Sequence, residues 1–169
     1  MRAYQRILVP IESSSRDEVL LKRAAEIAQT DHAEVMVVRV IDVRSGFESD
    51  GPAGVFPMER AARKKTVERK RLDLMLSRNS LSWAQAQVTC GEPVPVLTDV
   101  INQWRPDLIV TASTLLLPGW VASAVAQASG SRPDLLNVVC DNVFSRLAQA
   151  VFPFSASQAR SSELQTQDV

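Results

Sequence analysis

Short apolar runs alternate with longer segments of helical periodicity over residues 6–140. Apolar, β-branched runs bounded by charged residues, glycine or proline are typical of buried strands. Apolar residues spaced three and four apart are typical of helices that cover a sheet. The pattern predicts strands at Arg6–Ile11, Glu34–Ile41, 82–90, 107–112 and 135–140, and helices at 15–30, 58–80, 94–104 and 120–129.

The alternation of strands and helices predicts an α/β domain. The first strand–helix–strand unit spans residues 6–41, and its crossover is expected to be right-handed. The second strand is almost continuously apolar, which indicates a parallel strand covered on both faces. In the third strand, Trp83, Ala84, Ala86 and Val88 are expected to point into the interior. We therefore predict a three-layer sandwich around a five-stranded parallel sheet in residues 1–142.

Polar residues follow the first strand directly. Glu12 and the serines at 13–15 occupy this position. Ligands of open α/β sheets bind at the carboxyl ends of the strands, so Glu12 and Ser13 are expected at the rim of any small-molecule site. One of the serines can cap the next helix. The alternative, a serine nucleophile, lacks a neighbouring base.

Two segments have more than one interpretation. Residues 42–57 contain three glycines and two prolines, and they form either a lid or a mobile excursion. The helix at 58–80 is rich in Arg and Lys, which indicates either a solvated face or a surface for an anionic partner. Since no aromatic residues are interleaved with its basic ones, a nucleic-acid partner is disfavoured.

Composition argues against several classes of protein. Lys+Arg and Asp+Glu number 19 each, so no overall charge favours nucleic acid or a membrane. No apolar run approaches the ~18 residues of a membrane span and no signal core precedes the first strand, so we expect a cytoplasmic protein. His32 is the only histidine and no cysteine has metal-ligand spacing, so no metal site is predicted. Cys90 and Cys140 are expected to be buried, reduced thiols.

The C-terminal part divides into two segments. Residues 143–154 are apolar and predict a short helix on the domain, a cover for the sheet edge, or a contact with a partner. Residues 155–169 are polar and without periodicity, which predicts a disordered tail.

Four segments resemble those of the universal stress protein family, in the order and spacing of that family. They are 7–14 (Ile-Leu-Val-Pro-Ile-Glu-Ser-Ser), the opening strand; 34–42, the second strand; 88–93 (Val-Thr-Cys-Gly-Glu-Pro), the third strand and its Gly-x-Pro turn; and 104–110 (Trp-Arg-Pro-Asp-Leu-Ile-Val), the fourth strand and its lead-in. The resemblance covers residues 6–141. It implies an adenine nucleotide alpha hydrolase-like fold with strand order 3-2-1-4-5.

The resemblance also bears on nucleotide binding. Nucleotide-binding members carry Gly-x2-Gly-x9-Gly-Ser/Thr after the fourth strand, where backbone N–H groups close on phosphates. Here Ala112 takes the place of the first glycine and Ala122-Ser123 that of the last pair, with a shorter interval between them. The pattern resembles the A-type members, which lack the glycine motif and are not regarded as ATP binders. It therefore implies no cofactor.

The resemblance further implies where a ligand would lie. In ATP-binding relatives the adenine lies against the ends of the first two strands, and Glu12 stands here in place of the usual Asp. The positions of this chain that match the adenine-binding strand ends are Pro10, Ile11, Glu12 and Val40. The candidate ligand pocket adds Ser13, which follows Glu12, and Ala112 and Ser123, which stand at positions of the glycine motif.

Family members commonly form homodimers by antiparallel pairing of their fifth strands. An apolar edge strand needs such a partner or a cover. The candidate dimer edge is Leu136, Asn137, Val138, Val139 and Cys140, and the alternative is a cover formed by residues 143–154 of the same chain.

The leading interpretation is a non-enzymatic universal stress protein, a cytoplasmic homodimer that works through contacts with another protein and does not bind ATP. The alternative is an adenine-nucleotide-binding member with a remodelled phosphate loop, acting as an ATP- or AMP-dependent switch or a slow ATPase. An enzyme of the wider nucleotide-binding α/β group is disfavoured, because the chain offers no paired base and nucleophile and no metal cluster.

Overall fold

The computed structural model describes residues 3–12, 14–42, 57–113, 118–130 and 132–139. Strands and helices alternate through these ranges, as the sequence pattern predicts. In chain order they are β1 (Arg6–Ile11), α1 (Asp17–Asp31), β2 (Glu34–Ile41), α2 (Pro57–Arg78), β3 (Gln85–Cys90), α3 (Pro93–Trp104), β4 (Leu108–Ser113), α4 (Gly119–Gln127) and β5 (Asp134–Val139).

The five strands form one parallel sheet in the order β3-β2-β1-β4-β5. Both the parallel sheet and the strand order predicted from the resemblance are confirmed. Because β2 and β3 lie on one side of β1 while β4 and β5 lie on the other, the strand order reverses beside β1. Such a reversal opens a crevice at the carboxyl ends of the strands, and this edge positions the candidate site.

Two apolar cores sandwich the sheet. On one face, Ile7 and Val9 of β1 pack with Leu21 of α1 and Leu72 of α2. On the other face, a second cluster centres on α3 and α4: Leu8, Ile109, Leu97, Ile101 and Val121. Helices on both faces explain why the central strands are apolar at nearly every position.

The third strand begins later than predicted. It starts at Gln85, and the segment before it is a turn after α2 in which Ser80 has φ 58°. The N–H of Leu81 donates to the carbonyl of Leu76 at 2.9 Å. Trp83 is 53% exposed and its indole donates to the Ser80 carbonyl, so the prediction that Trp83 points into the interior is wrong.

The predicted serine cap of α1 is provided by Ser14. The regular helix begins at Asp17, two residues later than predicted, and its flanking residue, Arg16, makes no side-chain cap. In the turn before it, the Ser14 hydroxyl oxygen accepts the N–H of Arg16 at 3.3 Å. The buried Asp17 carboxylate in turn accepts the Ser14 N–H at 2.9 Å and the Ser14 hydroxyl at 3.1 Å, so the two residues form a reciprocal capping arrangement.

The two cysteines differ in what the structure shows of them. Cys90 is partly rather than fully buried and forms no disulfide within the described residues. Cys140, the interior of the 42–57 segment, and residues 143–154 and 155–169 lie outside the described residues. Within the described ranges, no helix combines the length and apolar character needed to cross a membrane.

Candidate functional site

The carboxyl edge of the sheet opens between β1 and β4. At the amino edge the two strands are tied together, because the Asp107 carboxylate accepts the N–H groups of Gln5 and Arg6 at 2.8 and 2.9 Å. Their pairing then stops at Leu8, although β4 continues to pair with β5. Pro10 has no N–H to donate at the next level of the sheet. The strands therefore separate towards their carboxyl ends and leave a crevice.

An indole ring lines this crevice and narrows it. Trp120, the second residue of α4, reaches across to the end of β1, where its Nε1–H donates to Oε1 of Glu12 at 2.6 Å. The space that remains between Pro10, Thr111 and the ring is about 10 Å³. That volume suffices for about one water molecule.

A second, open cavity lies beside the first, at the ends of β1 and β2. Its volume is about 270 Å³. Its walls combine apolar groups with two acids and two cations: Ile11, Val40, Ile41, Pro93, Trp120, Glu12, Asp42, Arg39 and Lys64. The cavity lies just below the usual size range of small-molecule sites, and its mixed charges can orient a ligand that has both donors and acceptors.

A largely buried ion pair builds one wall of this cavity. Nε of Arg39 lies 3.2 Å from the Glu68 carboxylate of α2, and the two side chains are only 17% and 16% exposed. The guanidinium also donates to the Val40 carbonyl at 3.0 Å. With Arg39 so held, the exposed Lys64 is the cation of this wall that can turn towards an anionic group.

The structure brings together most of the predicted pocket residues. Ile11, Glu12 and Val40 line the open cavity, and Pro10, Glu12 and Ala112 line the crevice, so Glu12 forms part of both. Ser123 is exposed on α4 and lines neither space. Ser13 lies outside the described residues.

Sequence analysis missed Trp120, Arg39 and Lys64. A signal for Arg39 exists, because a lone arginine in a buried apolar strand needs an acidic partner. Trp120 stands in an alanine-rich helix, where it reads as an ordinary core position. Its contact with Glu12 joins residues far apart in sequence, and the local pattern carries no sign of it.

The described residues contain little that supports covalent catalysis. The Ser14 hydroxyl donates to the Asp17 carboxylate, which is occupied in closing the helix turn. His32 follows α1 with φ 56° and leads into the amino end of β2, at the opposite edge of the sheet. Across the described ranges, no three His, Cys, Asp or Glu side chains are grouped to hold a metal ion.

The candidate dimer edge is the outermost strand, β5. Leu136 and Val138 pack partly against the core on the α1 face, and Asn137 lies 3.4 Å from the Thr111 hydroxyl. Leu135, the residue before them, is 41% exposed. The backbone of Val139 ends the strand, and Cys140 lies outside the described residues.

The sequence and the fold both have counterparts among known proteins. The model of the Universal stress protein family matches residues 3–118. Similar solved structures include the hypothetical protein MJ0577 (18% identity, 83% of this chain and 99% of that chain, TM-score 0.63) and universal stress protein UspA from Lactobacillus plantarum (21%, 82% and 99%, TM-score 0.56). A universal stress protein in complex with cAMP also matches (21%, 81% and 98%, TM-score 0.49). At such identities these likenesses show the fold alone. No curated protein sequence matches the chain.

Proposed function

Because the chain belongs to the universal stress protein family, we propose that it is a non-enzymatic stress-response protein that does not bind ATP. It acts as a cytoplasmic homodimer through contacts with another protein. Three features support this proposal: the narrowed crevice, the sequence of the loop after β4, and the apolar edge at β5.

The narrowed crevice carries the proposal. Ligands of open α/β sheets enter where the strand order reverses, and here that is the space between β1 and β4. Trp120 lines this space and is held by its hydrogen bond to Glu12. A triphosphate would have to displace the indole and break a hydrogen bond to a charged acceptor, which is stronger than a neutral one.

The sequence after β4 points the same way. Phosphate loops use glycine because backbone N–H groups must approach the anion closely. Between Ala112 and Pro118 the chain instead reads Ser-Thr-Leu-Leu-Leu, without glycine. An apolar sequence of this kind offers little to solvate or bind a highly charged phosphate chain.

The edge at β5 supports the homodimer. Leu135 is exposed, and a groove of about 410 Å³ runs between α1 and the start of β5, with Ile27, Leu108 and Leu136 in its lining. Pairing with a second β5 would extend the sheet and cover this apolar edge. The antiparallel pairing expected from the family is the geometry we propose.

The alternative function is adenine-nucleotide binding with a remodelled phosphate loop. The open cavity at the ends of β1 and β2 is the observation that favours it, since it offers apolar walls beside Arg39 and Lys64. A nucleoside or nucleoside monophosphate could use this cavity without entering the crevice. ATP- or AMP-dependent switching would then depend on that cavity.

Thermal unfolding separates the two functions. The protein would be heated with and without millimolar ATP and Mg²⁺, and then with ADP, AMP and adenosine. A ligand at about 100 times its Kd adds about 2.7 kcal/mol of stability. We expect no shift in Tm with ATP, and a shift would contradict the proposal. A shift with adenosine or AMP alone would support the alternative, confined to the open cavity.

The homodimer is tested by sedimentation of the wild type and of Leu135→Arg, a change at a 41% exposed position of β5. We expect a dimer for the wild type and a folded monomer for the variant, because a buried charge opposes the β5 contact. As a control, Val67→Arg places a charge at an exposed apolar position of α2, which packs beside β3 at the other edge of the sheet, and should leave the dimer intact. A wild-type monomer at micromolar concentration would contradict this part of the proposal.

A further inference from the structure

The outer side of α2 concentrates positive charge in a chain that is neutral overall. Pro57–Arg78 contains eight Lys or Arg residues against three acidic residues. Residues three, four and seven apart share one side of a helix. Five exposed cations obey this spacing and lie away from the buried side of the helix: Arg63, Lys64, Lys70, Arg71 and Arg78. Lys64, near the start of the helix, also borders the open cavity.

Two large apolar side chains lie among these cations. Val67 is 64% exposed and Leu74 is 61% exposed, and they are seven residues apart on the same side of the helix. The helix docks on the sheet through a different side, where Leu72 and Leu76 are buried. Single exposed apolar residues are ordinary, but a pair at heptad spacing within a cationic row forms a defined surface. We call these two residues and the five cations the outer stripe.

The cations of the outer stripe lack acidic partners within the described part of the chain. Glu68 pairs with Arg39 in β2, and Asp73 pairs with Arg69, which lies off the stripe. Arg63, Lys64, Lys70, Arg71 and Arg78 make no ion pair with any described residue. Among the described residues no acid neutralises them, so solvent and salt screen their mutual repulsion.

A groove accompanies the stripe. It has a volume of about 460 Å³ and lies between the C-terminal half of α2 and the start of α1. Its α2 side is formed by Arg71, Leu74, Met75 and Arg78, and its α1 side by Ser14, Ser15 and Glu18. The single carboxylate in this lining stands against two cations. The groove gives a side chain of a bound partner a place to insert next to Leu74.

We propose that the outer stripe binds an acidic amphipathic helix of a partner protein. This inference rests on the proposed function, since it names the chemistry of the partner through which that function works. From Arg63 to Arg78 the stripe is about 22 Å long at the helical rise of 1.5 Å per residue. A partner helix of about four turns spans this length, places apolar residues seven apart on Val67 and Leu74, and presents acidic residues to the flanking cations.

The apolar pair favours a protein over a nucleic acid. Val67 and Leu74 gain nothing from a phosphate backbone, whereas an apolar side chain of a partner removes both from water. Base stacking needs aromatic side chains, and the stripe has none. Steering by the cations and burial of the apolar pair together fit an acidic amphipathic helix.

Binding of a defined probe tests the inference. The probe is a labelled 18-residue helical peptide that carries leucines seven residues apart and glutamates on either side, and binding is followed by fluorescence anisotropy. Lys70→Glu/Arg71→Glu should weaken binding at least tenfold, because it replaces attraction by repulsion. Val67→Ser/Leu74→Ser should also weaken it. The control Arg105→Glu/Arg132→Glu makes the same charge change at exposed positions away from both the stripe and the groove and should bind like the wild type.

Three outcomes would overturn the inference: no binding of the probe to the wild type, equal weakening by the control, or tighter binding of a duplex DNA of equal charge. Equal binding of a peptide with its leucines on opposite faces would do so as well, because charge alone would then explain the affinity. The ATP unfolding test is independent of the stripe. A Tm shift with ATP would therefore contradict the proposed function, whereas the peptide experiment would still decide separately whether the outer stripe binds an acidic helix.

Discussion

Two neighbouring spaces at the carboxyl edge of the sheet differ greatly in volume. The crevice between β1 and β4 is narrowed by Trp120 and retains about 10 Å³, while the cavity at the ends of β1 and β2 stays open at about 270 Å³. Glu12 belongs to the walls of both. Trp120, at the start of α4, lines both spaces, and the difference in volume shows that neighbouring parts of one sheet edge offer very different room to a ligand.

Each space has its own polar pair. The open cavity is built against the Arg39–Glu68 ion pair, which is largely buried and joins β2 to α2. The crevice is bordered by the exposed hydrogen bond from Trp120 to Glu12. Because the Arg39–Glu68 pair is largely buried, losing one partner should lower the stability of the fold. Because the Trp120–Glu12 hydrogen bond is exposed, losing it should mainly change the position of the indole ring. Substitutions in each pair should therefore have effects of different size and kind.

The largest effect is expected at the buried pair. Glu68→Ala leaves the Arg39 guanidinium largely buried without its carboxylate, so we expect a loss of about 2 kcal/mol in the free energy of unfolding. Urea denaturation measures this as a lower midpoint at unchanged m. Arg39→Met/Glu68→Leu replaces both partners with apolar groups and should recover most of the loss.

Glu59→Ala is the control for this pair. It removes an exposed carboxylate from the same helix and should change stability by less than about 0.5 kcal/mol. If Glu68→Ala proved as mild as the control, the wall of the open cavity would not depend on the ion pair. The open cavity and the crevice would then not differ in how much their polar pairs contribute to stability.

An intermediate effect is expected when the indole is removed from the crevice. Trp120→Ala removes a half-buried indole and its hydrogen bond, so we expect a loss of about 1.5 kcal/mol. The vacated space should accept free indole, which would raise Tm of the variant and leave the wild type unchanged. Trp83→Ala, at a 53% exposed position, is the matched control and should show no rescue by indole. Equal behaviour of both variants would mean that Trp120 does not line a defined space.

Sequence patterns predicted most of the fold for a clear physical reason. β1 and β2 are covered on both faces, so their apolar runs coincide with their bounds, and Arg6–Ile11 and Glu34–Ile41 are confirmed to the residue. Pattern failed where side chains bond locally instead of packing. The turn at Leu81 and Trp83 is held by bonds back to α2, and the start of α1 is set by Asp17 and Ser14.

Helical spacing alone does not identify the buried side of a helix. Val19, Val67 and Leu74 fit an apolar period, yet all three are exposed, because the docking side of a helix depends on the sheet beneath it. At the site, Glu12 was predictable from its place after a strand at the carboxyl edge. Trp120 was not, since its role depends on a strand far away in sequence that separates from β4 after Leu8.

The smallest effect, and the sharpest test of the comparison, is expected at the wall that both spaces share. Glu12→Gln keeps an acceptor oxygen near the Trp120 indole but removes the charge, so we expect a loss of only about 0.5 kcal/mol at this exposed site. The readout is the fluorescence of Trp120 in a Trp83→Phe/Trp104→Phe background. Asp42→Asn, which changes a carboxylate of the open cavity alone, is the control. Emission should respond to Glu12→Gln and not to Asp42→Asn, because only Glu12 accepts the indole hydrogen. An equal response to both would mean that packing alone holds the ring, and the crevice would then be narrowed without help from Glu12.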